Sequence, residues 1–348
     1  MAGATVSLNA PNYSVAWIRN PRFDVSLIIG AALIAVGSGV AILLRPDWYP
    51  YIIAVDMWLL GFHHVIATYT RLVFDVESLK RYWFLVFVLP VIVFGGTYLL
   101  YRIWGAMAIA MLYFHWQWFH YTRQSYGVER MFYRRSGRVG AGWLNKGVLY
   151  GVAAWGLAHR SFIGQETFLG ADIKYLPVPQ WVSIVLGGIF VSLFIVWLIR
   201  YLLQGEFRRR NLLHTAYVIS HVLIFLVGYR LIPDVTTGWV VLNVWHNIQY
   251  LLVVWLFNVN RFKDGVDRKH RFLSTISQPR NVLLYIIACM GITGIFYLGV
   301  EGVLEKVVIT TLPITLLIFQ GVNFHHYLVD GFIWKLRKKH IAGNLNAG

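Results

Sequence analysis

Apolar runs of roughly 20 residues, each the length of one bilayer crossing, recur along this 348-residue chain between short polar segments. Backbone groups in hydrocarbon must be satisfied within their own segment, so such runs fold as helices. The fold class expected is therefore all-α, a polytopic membrane helix bundle. The runs fall near 24–44, 51–72, 82–101, 104–126, 146–162, 181–203, 211–231, 238–258, 281–300 and 307–333, about ten transmembrane helices. With 58% hydrophobic and 13% charged residues, the chain is too apolar for a soluble domain of this length. No linker, low-complexity tract or repeat divides it. Residues 1–348 read as a single transmembrane domain, with 1–23 a cytoplasmic N-terminal segment and 336–348 a cytoplasmic tail.

Basic residues fall on alternate loops and set the orientation. One set comprises Arg19 and Arg22; Arg71, Lys80 and Arg81; Arg130, Arg134, Arg135 and Arg138; Arg208, Arg209 and Arg210; the cluster from Arg261 to Arg271; and Lys335, Arg337, Lys338 and Lys339. The intervening loops carry only isolated charges such as Arg45 with Asp47, Lys174, Asp234, and Glu301 with Glu305. The positive-inside rule places both termini in the cytoplasm. That location corresponds to a multi-pass protein of the cytoplasmic or, in a bacterium, inner membrane. Arg19 and Arg22 directly before the first run argue against a cleavable signal peptide. The net charge of +16 is thus a topology signal, and with no recognition motif beside it nucleic acid is not an expected partner. A basic cytoplasmic face does suit an acidic soluble partner. Pro90 and Pro313 are expected to kink their helices, and Gly95 with Gly96 to allow close helix packing.

Eight histidines lie inside the apolar runs: His63, His64, His115, His120, His221, His246, His325 and His326. Ionisable groups in lipid are costly and are kept where they pair, line a cavity or bind something. His64 lies seven residues before Arg71, His120 three before Arg123 and His326 nine before Lys335. At the rise of a helix these sit roughly 5 to 15 Å inside the cytoplasmic boundary, with His221 and His246 about 15 to 20 Å down. Convergence at one depth points to one buried site, and all eight are candidate metal ligands. The single cysteine, Cys289, cannot supply a thiolate cluster. Adjacent histidines project about 100° apart and His115 and His120 about 140° apart, a spacing suited to two neighbouring ions. Imidazole-rich ligation suits iron, copper or zinc. Asp56, Gln117, Asn247 and Asp330 are the candidates for holding the second imidazole nitrogens. His159, His214, His270 and His340 fall outside the band and are excluded.

Histidines on several membrane helices near the cytoplasmic face, including His63-His64, His325-His326 and the His115-x4-His120 spacing, resemble the integral-membrane di-iron family of desaturases, hydroxylases and sterol oxidases. The resemblance implies oxygen activation at two histidine-bound irons with electrons delivered from the cytoplasm. Of that family's three boxes only His115-x4-His120 matches, and the two pairs lack a preceding histidine.

The leading expectation is a metal-dependent membrane oxidoreductase of the monooxygenase or desaturase type, which hydroxylates, desaturates or cleaves a lipid or hydrocarbon. No flavin, nicotinamide or haem-attachment motif is visible, so electrons come from an acidic donor such as a ferredoxin. The alternatives are a bis-histidine haem b protein exchanging electrons with quinone, a metal-ion transporter, and an acyltransferase using His246 beside Asn243 and Asn247.

Overall fold

The structure, a computed structural model, describes residues 14–74, 76–138, 142–164, 167–204, 207–299, 302 and 313–347. Residues 1–13 of the N-terminal segment, Glu301, Glu305 and the start of the tenth run at 307–312 lie outside the described residues. The rest is a helical bundle whose strands among the described residues are the pair β1 (Thr167–Phe168) and β2 (Ala171–Asp172).

Among the described residues, seven helices are long and apolar enough to cross a membrane: α1 (Pro21–Leu44), α2 (Pro46–Thr70), α3 (Phe84–Arg135), α5 (Gln180–Leu202), α6 (Leu212–Leu231), α7 (Val235–Arg261) and α8 (Pro279–Gly299). The 52 residues of α3 would measure about 78 Å as one rod, against roughly 30 Å of hydrocarbon. The helix breaks at Gly105, whose φ of 75° is open to glycine and strained for other residues. This non-helical residue divides α3 into two helices, which correspond to the third and fourth apolar runs. Two further helices, α4 (Trp143–Ile163) and α9 (Ile314–Ile333), have the same length. Their lower hydropathy comes from residues that face protein, among them Asn145 and Arg160 on α4 and His325 and His326 on α9, all buried.

The core is organised around α7. It packs against α1, α2, α6 and α3, and 83% of its most apolar window is buried. The closest approach joins α6 to α7: a Cβ on Gly238 would stand 2.0 Å from the Gly228 carbonyl oxygen. At that contact the buried guanidinium of Arg160 donates to the carbonyls of Gly228 (3.0 Å), Pro233 (2.5 Å) and Ile232, closing the C-terminal end of α6. Gly95 and Gly96 do not serve the close packing expected of them. Neither has a neighbour within 4 Å of a built Cβ, and it is Phe94 beside them that packs onto Gly321 of α9.

Two polar features differ from the sequence reading. Arg71 is not an open loop charge: it is 7% exposed, with its guanidinium between the rings of Phe257 and Trp334 at 3.9 and 4.1 Å. The C-terminal tail is built into the bundle. Its short helix α10 (Lys339–Asn344) buries Ile341 completely, and Asn346 donates to the Ile18 carbonyl at 2.9 Å.

Candidate metal centre

Four helices each contribute one histidine to the centre of the bundle: His64 from α2, His120 from α3, His246 from α7 and His326 from α9. Their exposures run from 0% to 6%, so water does not solvate these rings. One ligand nitrogen from each lies within 4.8 Å of all the others. A metal–imidazole bond of about 2.0–2.1 Å places ligand nitrogens about 3 Å apart in cis positions and about 4.2 Å apart in trans. The His64 Nε2–His326 Nε2 separation of 2.9 Å matches a cis edge, and the outer limit needs only sub-ångström adjustment to close on one ion.

Hydrogen-bond accounting points the same way. His64 Nδ1, His120 Nε2 and both ring nitrogens of His246 are buried with no hydrogen-bond partner. A buried polar atom without a partner costs about 1–3 kcal/mol, and native interiors hold few of them. A single cation bound through one nitrogen of each ring would relieve His120 Nε2 and one nitrogen of His246. Histidine Nε2 and Nδ1 in their neutral forms are metal ligands by nature, so the residues present fit a transition-metal ion.

The surrounding side chains hold the rings in place. Tyr327 stacks on His120 at 4.1 Å and Tyr121 on His246 at 4.2 Å. Thr68, one turn beyond His64, bonds His326 Nδ1 at 3.0 Å and also meets the Tyr250 hydroxyl. Tyr250 donates to Asp330 at 2.8 Å, and Asp330 stands 3.5 Å from His326. Of the four polar residues expected to support the imidazoles, Asp330 does touch one. The other three bond elsewhere. Asp56, 1% exposed, accepts from Asn243 (2.6 Å) and Asn247 (3.1 Å), fixing α2 against α7 on either side of His246. Gln117 accepts from the Trp239 indole at 2.5 Å.

The remaining histidines of the expected set do not join this group among the described residues. Each pair splits, because neighbours on a helix point about 100° apart and only one can face the centre. His63 turns its Nδ1 to the Leu59 carbonyl at 3.2 Å on its own helix. His325 accepts from the Tyr69 hydroxyl and donates to the Leu85 carbonyl, both at 2.7 Å. His115 lies half-buried on the far side of α3, where its Nε2 meets the Leu176 amide at 3.5 Å. His221 has both nitrogens occupied, by Ser125 at 2.8 Å and the Leu149 carbonyl at 3.1 Å.

Thr68, Tyr250 and Tyr327 are neighbours of the four histidines that sequence reasoning did not single out. The available signal was spacing, since Thr68 and Tyr250 each follow a ligand histidine by four residues and Tyr327 follows one directly. The excluded His214 pairs with buried Glu129 at 2.7 Å, well away in sequence from the four. A cavity of about 100 Å³ leads away from the centre. Its lining includes His120, Tyr250 and Asp330, the apolar Val128, Met131 and Val253, and the basic Arg123 and Lys335.

Comparison with protein-family models, curated proteins and solved structures finds no match, so the chemistry is read from the geometry.

Proposed function

We propose that this chain is a multi-pass membrane oxidoreductase in which His64, His120, His246 and His326 hold one redox-active metal, iron before copper, that activates oxygen against an apolar substrate. The observation that carries the reading is the group of four buried imidazoles, from four helices, with no carboxylate or thiolate among them. Four imidazoles saturate tetrahedral zinc, whereas six-coordinate iron retains two positions for reactants. The two-ion expectation narrows to one ion here because His115, His221 and His325 are engaged with other partners.

The metal, when bound, supplies oxygen activation; the chain supplies geometry, exclusion of water and protons. Hydroxylation takes R–H, one O2, two electrons and two protons to R–OH and one water. Desaturation takes the same inputs to an alkene and two waters. Tyr250 and Asp330, bonded to each other and lining the same cavity as His120, are placed to pass those protons. The apolar residues of the cavity lining suit an alkyl segment, and its basic residues suit an acidic ferredoxin-like donor. A haem at the four-histidine group is disfavoured by space. Neighbouring rings stand 4.6 to 5.2 Å apart around the centre, leaving no slot for a macrocycle.

The test is metal analysis and an optical spectrum of purified protein, followed by oxygen uptake with a reduced donor across fatty-acyl, alkane, sterol and carotenoid substrates. The expected result is about one iron or copper per chain, no Soret band, and substrate-dependent uptake. Donor-dependent turnover should fall from low to moderate salt as screening reaches about 8–10 Å. A Soret band reducible by quinol, or stoichiometric zinc without oxygen uptake, overturns the proposal.

A further inference from the structure

A second cavity, of about 360 Å³, opens where α3, α4, α5 and α6 meet. It is separate from the metal centre and shares none of the residues that line the cavity leading from it. Arg138, just beyond α3, and Arg200, in the last turn of α5, both line it, and no carboxylate among the described residues does. Neither guanidinium has a hydrogen bond or ion pair among the described residues; Arg138 has only the Tyr133 ring, 5.8 Å away. Burial lowers the Arg138 pKa, and Arg200 lowers it further by repulsion, so the two cations sense one another across the cavity.

The floor of the cavity is polar and rigid. Asn145 receives the Trp197 indole N–H at 2.9 Å and donates to Glu129 at 2.7 Å. His214 meets the same carboxylate oxygen at 2.7 Å. Both Asn145 and His214 line the cavity, whereas Glu129 lies behind them at 0% exposure with that oxygen already engaged. The cavity thus presents two guanidinium forks over a floor in which Asn145 and His214 both engage the buried Glu129, and such forks are complementary to a phosphate group.

We infer that this cavity is a phosphate-binding site, formed by Arg138, Arg200 and Gln204 over the Asn145–His214 floor. Two sources carry that chemistry: the headgroup of an anionic phospholipid, or a soluble phosphate compound. Position favours the headgroup. Arg200 and Tyr201 end a helix whose side chains Ile199, Leu202 and Leu203 are 49%, 52% and 79% exposed, a wall suited to acyl chains. Trp143, 65% exposed at the cavity mouth, suits the interface level. At roughly 30 Å³ per water the volume holds about a dozen waters, enough for a phosphate with its attached glycerol.

The experiment uses the full chain in nanodiscs of mixed phosphatidylglycerol and phosphatidylcholine, released into the mass spectrometer as an intact complex. The wild type should retain one phosphatidylglycerol in preference to phosphatidylcholine. The double variant R138Q/R200Q should lose that retention by about tenfold or more, the scale of losing charge-assisted hydrogen bonds. Arg45→Gln, an exposed arginine already paired with Asp47, should not change it. In the second arm, delipidated protein is titrated with inorganic phosphate and glycerol 3-phosphate while Tm is followed. A rise in wild type but not in R138Q/R200Q, without lipid retention, assigns the site to a soluble phosphate compound. R138K/R200K keeps charge without the fork, guards against misfolding of the glutamine variant, and should fall between the two. Equal phosphatidylglycerol retention and equal Tm response in wild type and R138Q/R200Q overturn the inference.

Discussion

At the scale of residues, the structure assigns different work to chemically identical neighbours. His64 and His326 face the centre, while His63 and His325 bond to a helix carbonyl or a tyrosine. Alanine at His64, His120, His246 or His326 should therefore abolish stoichiometric metal binding, whereas alanine at His221 or His325 should leave it intact; metal analysis of the purified variants reads this directly. Unchanged metal content across the first group would end the metal reading. Removing a support should act more gently. Thr68→Val deletes the bond to His326 Nδ1 and Asp330→Asn the charge beside it, and loss of such partners lowers metal affinity about 10- to 100-fold. A competition titration with a chelator distinguishes that weakening from the complete loss expected of the histidine variants. That histidines gather inside the bundle was legible in the sequence, because histidine in an apolar run is rare. Which member of a pair faces inward was not legible. That depends on helix rotation, and around His63-His64 rotation is altered by a wider turn of helix over Asp56–Phe62 that no residue type announces.

At the scale of elements, apolar length located the helices well and said little about how they pack. The break between the third and fourth runs falls beside the expected boundary, at Gly105, a single glycine at positive φ. Gly95 and Gly96 look like a packing motif in sequence, yet the tight contact belongs to Gly228 and Gly238, which become neighbours only when α6 turns into α7. Adding a methyl at Gly238 would force it against the Gly228 carbonyl and against Arg160, whose bonds close the end of α6. Overpacking of this kind costs about 1–3 kcal/mol. Gly238→Ala should accordingly lower Tm in a detergent melt, while Gly95→Ala, with open space at its Cβ, should leave it within error. Equal effects at the two positions would show that the α6–α7 contact does not limit stability.

At the scale of the whole molecule, the described ends of the chain meet at one face. Arg135 donates to the Trp17 carbonyl at 2.8 Å, Arg134 to the Leu336 carbonyl at 3.1 Å, and Asn346 to the Ile18 carbonyl. Both ends thus share the face that carries the basic segment after α3, as an even number of crossings requires. The ten crossings and cytoplasmic termini expected from the charge pattern are our proposal for how the bundle sits in the bilayer. The prediction is tested with single cysteines in a Cys289→Ser background, placed at exposed positions. Arg22→Cys, Arg209→Cys and Lys339→Cys should resist a membrane-impermeant maleimide applied from outside, and Asp47→Cys and Lys174→Cys should react. The proposed metal site depends on the same orientation, since Arg123 and Lys335 line the cavity that His120 also lines. Labelling of the first three from outside would turn that cavity away from the cytoplasm, and a soluble cytoplasmic donor could then no longer reach the site.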